Sequence, residues 1–417
     1  MQTGLASGAI DLTSVLEVGS GFQMLAMLLT LGLGPLSKPW RTSQMKKSLV
    51  ALAALAATTA FAQSSVTLYG RLDVGMNNQK TTGTTTIGSA STSTFYKGNN
   101  LVNEDGLSTG LLGFKGTEDL GGGLKANFVH EMDLDLDVGA LGVAAGRDST
   151  LGLSGGFGEI RLGRSYTPLY STIGASDVFG TTGAGTVNQF GMAANAVRAS
   201  NAFFYTSPSF SGLTVRLMAQ QNNAQTNTSV ASAGKTSGNS FSVTYAAGPL
   251  MFAAATGTEK GSAIDREGVL LATTAAAATT AGTAAANAKA KYTGSAISGQ
   301  YDMGVAKIFA GYTTTKDDND TSVAGGELTM KETNLGVAVP MGVLTLMAAV
   351  GNNKGSTAGE TQTAKGTDMA VGATYALSKR TTAYFKTGTY NKYKVSDVGV
   401  SVEVKTTRTS VGLRHLF

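Results

Sequence analysis

The stretch from Glu403 to Phe417 constrains this chain most. It alternates with a period of two: Val411, Leu413, His415 and Phe417 share one face, and Arg408, Ser410, Gly412 and Arg414 share the other. Successive side chains of a β-strand point to opposite sides. A strand of ~9–11 residues, apolar outward and polar inward, suits a tilted crossing of a bilayer. Such a strand cannot stand at an open edge, because each unpaired backbone group in hydrocarbon costs several kcal/mol. The last strand must therefore pair with the first. Everything from Gln63 onward reads as hairpins leading to that closure on Phe417, whose aromatic carboxy-terminus is also the expected signal to a barrel-assembly machinery.

The first strand answers the last. Over Ser65–Asn77, Val66, Leu68, Gly70, Leu72 and Val74 alternate with Thr67, Tyr69, Arg71 and Asp73. Between the two ends the same pattern recurs. Strands are predicted over Thr109–Gly116, Leu124–Met132, Ser149–Leu153, Glu159–Gly163, Ala202–Thr206, Leu213–Gln220, Ser240–Ala246 and Leu250–Thr256. Others fall over Lys291–Tyr301, Val305–Thr314, Glu332–Pro340, Val343–Val350, Asp368–Leu377 and Thr381–Tyr390. Roughly sixteen strands result, an even number. Short turns such as Met341-Gly342 alternate with long connections at 78–106, 165–200, 221–239, 257–290, 315–331, 351–367 and 391–403. One rim with short turns and one with long loops is what a membrane barrel requires, and a soluble β-sandwich has no reason for it. Sixteen strands leave an aqueous lumen, whereas eight are filled by side chains.

Composition agrees. Charged residues are 14% of the chain and there are no cysteines, which excludes disulfide staples and thiolate metal sites. The net charge is +5; Lys38, Arg41, Lys46 and Lys47 against Asp11 and Glu17 leave +3 for residues 63–417, without basic runs. Nucleic-acid binding is not indicated. Met45-Lys46-Lys47, the apolar run Ser48–Ala57 and Ala60-Phe61-Ala62 make a Sec signal peptide over 45–62. Residues 1–44 in front of it are expected to be an upstream extension beyond the true start at Met45, and 63–417 the barrel. The Ala/Thr-rich stretch 273–291 reads as a low-complexity surface loop.

No enzyme signature holds. Ala233-Gly234-Lys235-Thr236 resembles the end of a phosphate loop, but Ser229 stands where the first glycine is needed. His130 and His415 are the only histidines, and no Ser/His/Asp set or metal cluster is visible. Asp133, Asp135 and Asp137 could hold calcium, though a solvated loop, or divalent bridges to lipopolysaccharide, fits that run better. No cofactor is expected.

The residues themselves are familiar. Ser65-Val66-Thr67-Leu68-Tyr69-Gly70-Arg71-Leu72-Asp73 resembles the first strand of the general diffusion porins of β-proteobacteria. So do Gly113–Gly121, Leu153–Gly158, Leu162-Gly163-Arg164, Tyr205–Leu213 and Gly412-Leu413-Arg414-His415. The likeness runs from Ser64 to Phe417 and is weakest over 221–331. It implies an all-β, sixteen-stranded antiparallel transmembrane barrel in the outer membrane, a homotrimer, and a third external loop folded into the lumen as a constriction. Loop 165–200 sits where that loop belongs.

Selectivity in such a pore comes from charged side chains facing each other at the narrowest point. Alternation puts Arg71, Lys115 and Arg161 inward, with Asp177 the only acid in the opposing loop. These four form the expected constriction, with a weak preference for anions; the alternative is that they are ordinary wet lumen residues. Tyr69, Asp73, Glu131 and Arg216 are further candidates for the lining. Arg164 matches the family motif but has outward parity, which suggests a bend. The expected function is passive diffusion of small hydrophilic solutes and ions. The rival is a surface barrel whose loops bind host or phage and whose pore is incidental.

Overall fold

The computed structural model describes residues 65–103, 106–142, 146–181, 197–222, 236–260, 291–318, 327–357, 363–397 and 400–417. The expected leader, the upstream extension and most of the Ala/Thr-rich stretch lie outside the described residues. In chain order the strand segments are β1 (Ser65–Ile87), β2 (Ala90–Asn103), β3 (Leu111–Gly121), β4 (Leu124–Asp135), β5 (Ala140–Gly142), β6 (Ser149–Gly155) and β7 (Gly158–Tyr166). One helix, α1 (Pro168–Ala175), follows. Then come β8 (Arg198–Thr206), β9 (Leu213–Asn222), β10 (Thr236–Ala247), β11 (Leu250–Lys260), β12 (Lys291–Asp302) and β13 (Lys307–Asp317). The last are β14 (Leu328–Met341), β15 (Leu344–Thr357), β16 (Thr363–Ala376), β17 (Thr381–Asp397) and β18 (Val400–Leu416).

All pairings are antiparallel and the sheet closes on itself. β1 pairs with β18 from Arg71↔Leu416 to Ile87↔Val400. Beyond that register, Gly70 and Phe417 exchange backbone hydrogen bonds at 3.2 and 3.1 Å. A Cβ built on Gly70 would lie 2.4 Å from the Phe417 ring, so the terminal aromatic is seated on a residue that offers no side chain. β2 and β3 pair with opposite ends of β1, and β5 and β6 pair with successive parts of β4. Each couple is thus one barrel strand interrupted by a short excursion. The eighteen segments make a sixteen-stranded barrel, as the alternation predicts.

Three predicted loops are largely strand. Over 78–106, β1 runs on to Ile87 and returns as β2, over 351–367 β15 reaches Thr357 and β16 begins at Thr363, and over 391–403 β17 reaches Asp397 before β18 begins at Val400. Thr81–Thr86 and Ser91–Thr94 carry β-branched or small polar side chains on both faces. These have strand propensity without hydrophobic alternation, so a reading based on apolar period misses them.

The outward face is apolar: Leu68, Leu162, Leu335 and Met369 are 55%, 59%, 57% and 60% exposed. Contiguous exposed apolar surface on this scale marks an interaction surface, and around a closed barrel that surface meets lipid. Inward positions are polar or small, among them Asp73, Ser240, Ser298, Asn334 and Asp368. One departure from even alternation is at Gly163, whose φ of +132° opens a bulge before Ser165 against β8. An L side chain is strained in that conformation. The bulge sets Arg164 at a bend, as its parity suggests, where it donates to the Gly146 carbonyl at 2.5 Å and to Ser200 Oγ at 2.6 Å.

Candidate functional site: a basic wall facing a packed segment

β7 leads directly into the segment 167–181. Thr167 caps α1 by accepting the Tyr170 N–H at 3.1 Å, and Pro168 occupies the first turn. The helix does not face solvent. Leu169 and Ile173 pack on Ala255 and Ala296. The Leu169 N–H donates to Ser240 Oγ at 3.0 Å, and Gln300 Nε2 donates to the Ala175 carbonyl. Further along, Asn334 Nδ2 donates to the Ser176 carbonyl at 2.7 Å, and Phe179 packs with Ala370. All these wall positions are inward-facing, so the segment lies along the inner face of β10–β16. Small residues there leave the room: a Cβ on Gly311 would sit 2.3 Å from Ser176 Oγ, and one on Gly372 2.8 Å from the Phe179 ring.

The opposite wall is basic. Arg147, buried between β5 and β6, ion-pairs with Asp133 at 2.7 Å and Glu131 at 3.7 Å and donates to Tyr166 Oη at 3.2 Å. Arg198 donates to the same hydroxyl at 2.5 Å and lies 4.2 Å over the Tyr166 ring. Tyr166 in turn stacks on Tyr170 with centroids 5.2 Å apart. Arg71 donates to the Thr109 carbonyl and feels the like charges of Arg147 and Arg414. Arg161 lies 3.4 Å from Glu159 and over the Phe204 ring, and with Arg198 it acts on Asp148. Asp148 sits between β5 and β6. Burial pushes its carboxyl above the usual range, against the Ser165 hydrogen bond and the two arginines.

The predicted site residues therefore divide. Arg71, Arg161, Tyr69 and Glu131 belong to one connected group, with Tyr69 Oη donating to Glu131 at 2.8 Å. Lys115 faces inward and adjoins it through the Tyr69 ring at 4.8 Å. Arg216 is inward and exposed on β9, among none of these contacts. Asp73 is not lining: it is fully buried, accepting the N–H groups of Leu107 and Ser108 and the Tyr384 hydroxyl at 2.7 Å. The excursion between β2 and β3 folds over it. Asp177 is also turned in, 6% exposed, accepting the amides of Phe179 and Thr181. Neither acid is presented as a free charge of a constriction. Tyr166, with Tyr170 a candidate for the base of the loop 165–200 on sequence grounds, does line it. Arg147 and Arg198 were missed as site residues: Arg147 lies on a connection, and Arg198 opens β8 inside the stretch 165–200 that reads as one long connection, where alternation carries no information. Asp133 of the acidic run is held by Arg147.

A wide, closed antiparallel barrel with apolar outside, wet charged inside and a segment laid against its inner wall defines an outer-membrane channel protein. Comparison with known proteins makes this specific. A sequence model described as Gram-negative porin matches residues 48–395. Outer membrane porin protein 32 of Delftia acidovorans is 32% identical over 401 residues, covering 89% of this chain and all of that protein. The anion-selective porin from Comamonas acidovorans superposes with a TM-score of 0.61 at 28% identity, over 85% of this chain and 100% of that one. OmpT of Vibrio cholerae in a trimer form, 18% identical over 85% of this chain and 99% of its own, shares the fold with a TM-score of 0.57. The chain belongs to the Gram-negative porin family: it is a diffusion channel of the outer membrane.

Proposed function

We propose that this porin passes small hydrophilic solutes and ions with a preference for anions, and that the preference is set by Arg71, Arg147, Arg161, Arg198 and Arg414. The observation that carries the reading is the imbalance of the basic wall. Five guanidiniums share it, with Lys115 beside them, while Glu131 and Asp133 already ion-pair with Arg147, Glu159 ion-pairs with Arg161, and burial shifts Asp148 toward its neutral form. Charges lining a narrow, low-dielectric passage raise the local counter-ion concentration, on the order of tenfold or more. The segment 167–181 narrows the lumen opposite, and its buried Leu169, Ile173 and Phe179 anchor it. Transport is diffusion down a gradient, without a catalytic step or a cofactor. Lys115 extends the basic lining toward the short-turn rim and Arg216 adds to it on β9.

The rest of the reading is assembly. The chain is exported on a leader cleaved after Ala62, inserted by the barrel-assembly machinery through the strand ending in Phe417, and works as a homotrimer among lipopolysaccharide. Amino-terminal sequencing of envelope protein should begin at Gln63; peptides from 1–44 would contradict it. The test of selectivity is the reversal potential of refolded protein in a salt gradient. Wild type should favour anions, and Arg71→Ser with Arg161→Ser should lower the anion-to-cation ratio about threefold or more at low salt, where screening is weak. A cation preference in wild type, or no shift in the double variant, overturns the assignment.

A further inference from the structure

Outside the pore, three rows of side chains are stacked on the outer face of β14–β17 near the rim of long connections. The uppermost is a run of lysines in direct register: Lys331 faces Lys354, Lys354 faces Lys365, and Lys365 faces Lys394. All four are exposed. Like charges directly opposite on neighbouring strands destabilise a sheet, and four of them in about 14 Å need a counter-charge. Among the described residues no ion pair within 4 Å reaches them, and only Lys394 has an acid opposite it in register, Glu403 of β18. Neighbouring outward lysines differ: Lys316 lies 3.1 Å from both Asp318 and Glu327, and Lys291 3.8 Å from Asp318. The barrel neutralises those cations itself and, Glu403 opposite Lys394 apart, leaves the row to something else.

Two residues down each strand comes a hydrogen-bonding row, Thr333–Asn352–Thr367, in which Thr367 Oγ1 donates to Asn352 Oδ1 at 2.9 Å. Two further down comes an apolar row, Leu335–Val350–Met369. The upper two rows, Lys394 apart, line a shallow concavity of about 550 Å³ with Tyr312 at its side. From rim to membrane the order is cation, hydroxyl and amide, then aliphatic.

We infer that this face is a binding site for a phosphorylated glycolipid of the outer leaflet. Its phosphates meet the lysine row, its sugars the Thr333–Asn352–Thr367 row, and its acyl chains the aliphatic row. The charges are complementary and the vertical order matches that of such a lipid. The inference rests on the outer-membrane orientation with long loops outside, and deepens the lipopolysaccharide partnership to a place on the barrel.

The test uses the refolded full barrel, freed of lipopolysaccharide. Native mass spectrometry follows binding of bisphosphorylated lipid A, of the same lipid dephosphorylated, and of inorganic phosphate as competitor. Bisphosphorylated lipid should bind about tenfold or more tighter than the dephosphorylated form, given the gain per Lys near an anionic surface. The variant K331Q/K354Q/K365Q/K394Q should lose that difference, while replacement of the same four by Arg should keep it. Equal binding by the Gln variant and the parent, or equal binding of the two lipids by the parent, overturns the site. Displacement of the lipid by an equal concentration of phosphate also overturns it, since a free anion would then be the occupant. Single-channel conductance of the same samples separates this from the channel reading: a parent that binds the lipid but conducts nothing sinks the channel and leaves the site.

Discussion

The inner faces of the two halves of the barrel are built to different rules. Across β3–β7 and β18 the inward side chains are long and charged: Arg71 on β1 beside Arg414, Arg161 on β7, Arg147 reaching in from a connection. Across β10–β16 the positions that meet the segment are short, among them Ser240, Ala255, Ala296, Gly311 and Gly372, and the charged inward side chains of β11, β13, β14 and β16 include the acids Glu259, Asp317, Glu332 and Asp368. The first half gathers guanidiniums, of which Arg147 is buried and ion-paired. The second supplies a surface on which Leu169, Ile173 and Phe179 can be buried. The difference shows how a cylinder acquires a function its symmetry does not supply. One wall is planed down to seat a peptide, and the cations to which we assign the ion preference remain on the other.

The largest effect expected from breaking this division lies in the basic wall. Arg147 is the only group that ion-pairs with both Glu131 and Asp133 among the described residues, and all three side chains are mostly buried. Arg147→Ala strands two carboxylates. Removing one partner of a buried ion pair costs about 3 kcal/mol. Urea unfolding in lipid vesicles should show that loss, and the reversal potential should move toward cations at the same time. A neutral change in stability would mean that water enters freely enough to solvate both acids.

The seating wall gives a smaller and different effect. In Gly311→Val the new side chain meets Ser176 and the Asn334 amide, 2.3 and 2.4 Å from the position of its Cβ. Overpacking of this kind costs about 1–3 kcal/mol. The wall is held by its ladder, so the segment gives way and shifts toward the axis. Single-channel conductance should fall while ion selectivity stays near wild type. A change of selectivity with unchanged conductance would show that the two halves are not separate devices.

Period two made much of this legible beforehand. Strand count, closure on Phe417 and the inward parity of Arg71, Lys115, Arg161 and Arg216 all follow from a property of extended backbone, so they survive without tertiary knowledge. What alternation cannot carry is the path of a connection. Arg147 and Arg198 lie beside or within such paths. Asp73 loses its place in the lumen to a tether from Tyr384, 311 residues away in the chain. The helix α1 went unread although Thr167-Pro168 is a recognisable helix start, because an eight-residue helix buried among strands has no amphipathic run long enough to show a 3.6-residue period.

The finest distinction between the halves is in their response to pH, and it comes from Asp148. Its carboxyl lies beside the basic wall, and burial raises its pKa, so it takes up a proton on acidification before exposed carboxylates, which titrate near ~4, do so. Above that range Asp148 is ionised and offsets part of the field of Arg161 and Arg198. As pH falls through its raised pKa that negative charge disappears while every guanidinium stays charged, so the anion preference should rise. The shift in reversal potential between neutral and mildly acidic pH should be small, since one charge among several changes, and Asp148→Asn should abolish it and hold the preference at the acidic value throughout. If the Asn variant kept the same pH dependence, the titrating group would lie elsewhere, and the basic wall would be uncoupled from the acid buried beside it.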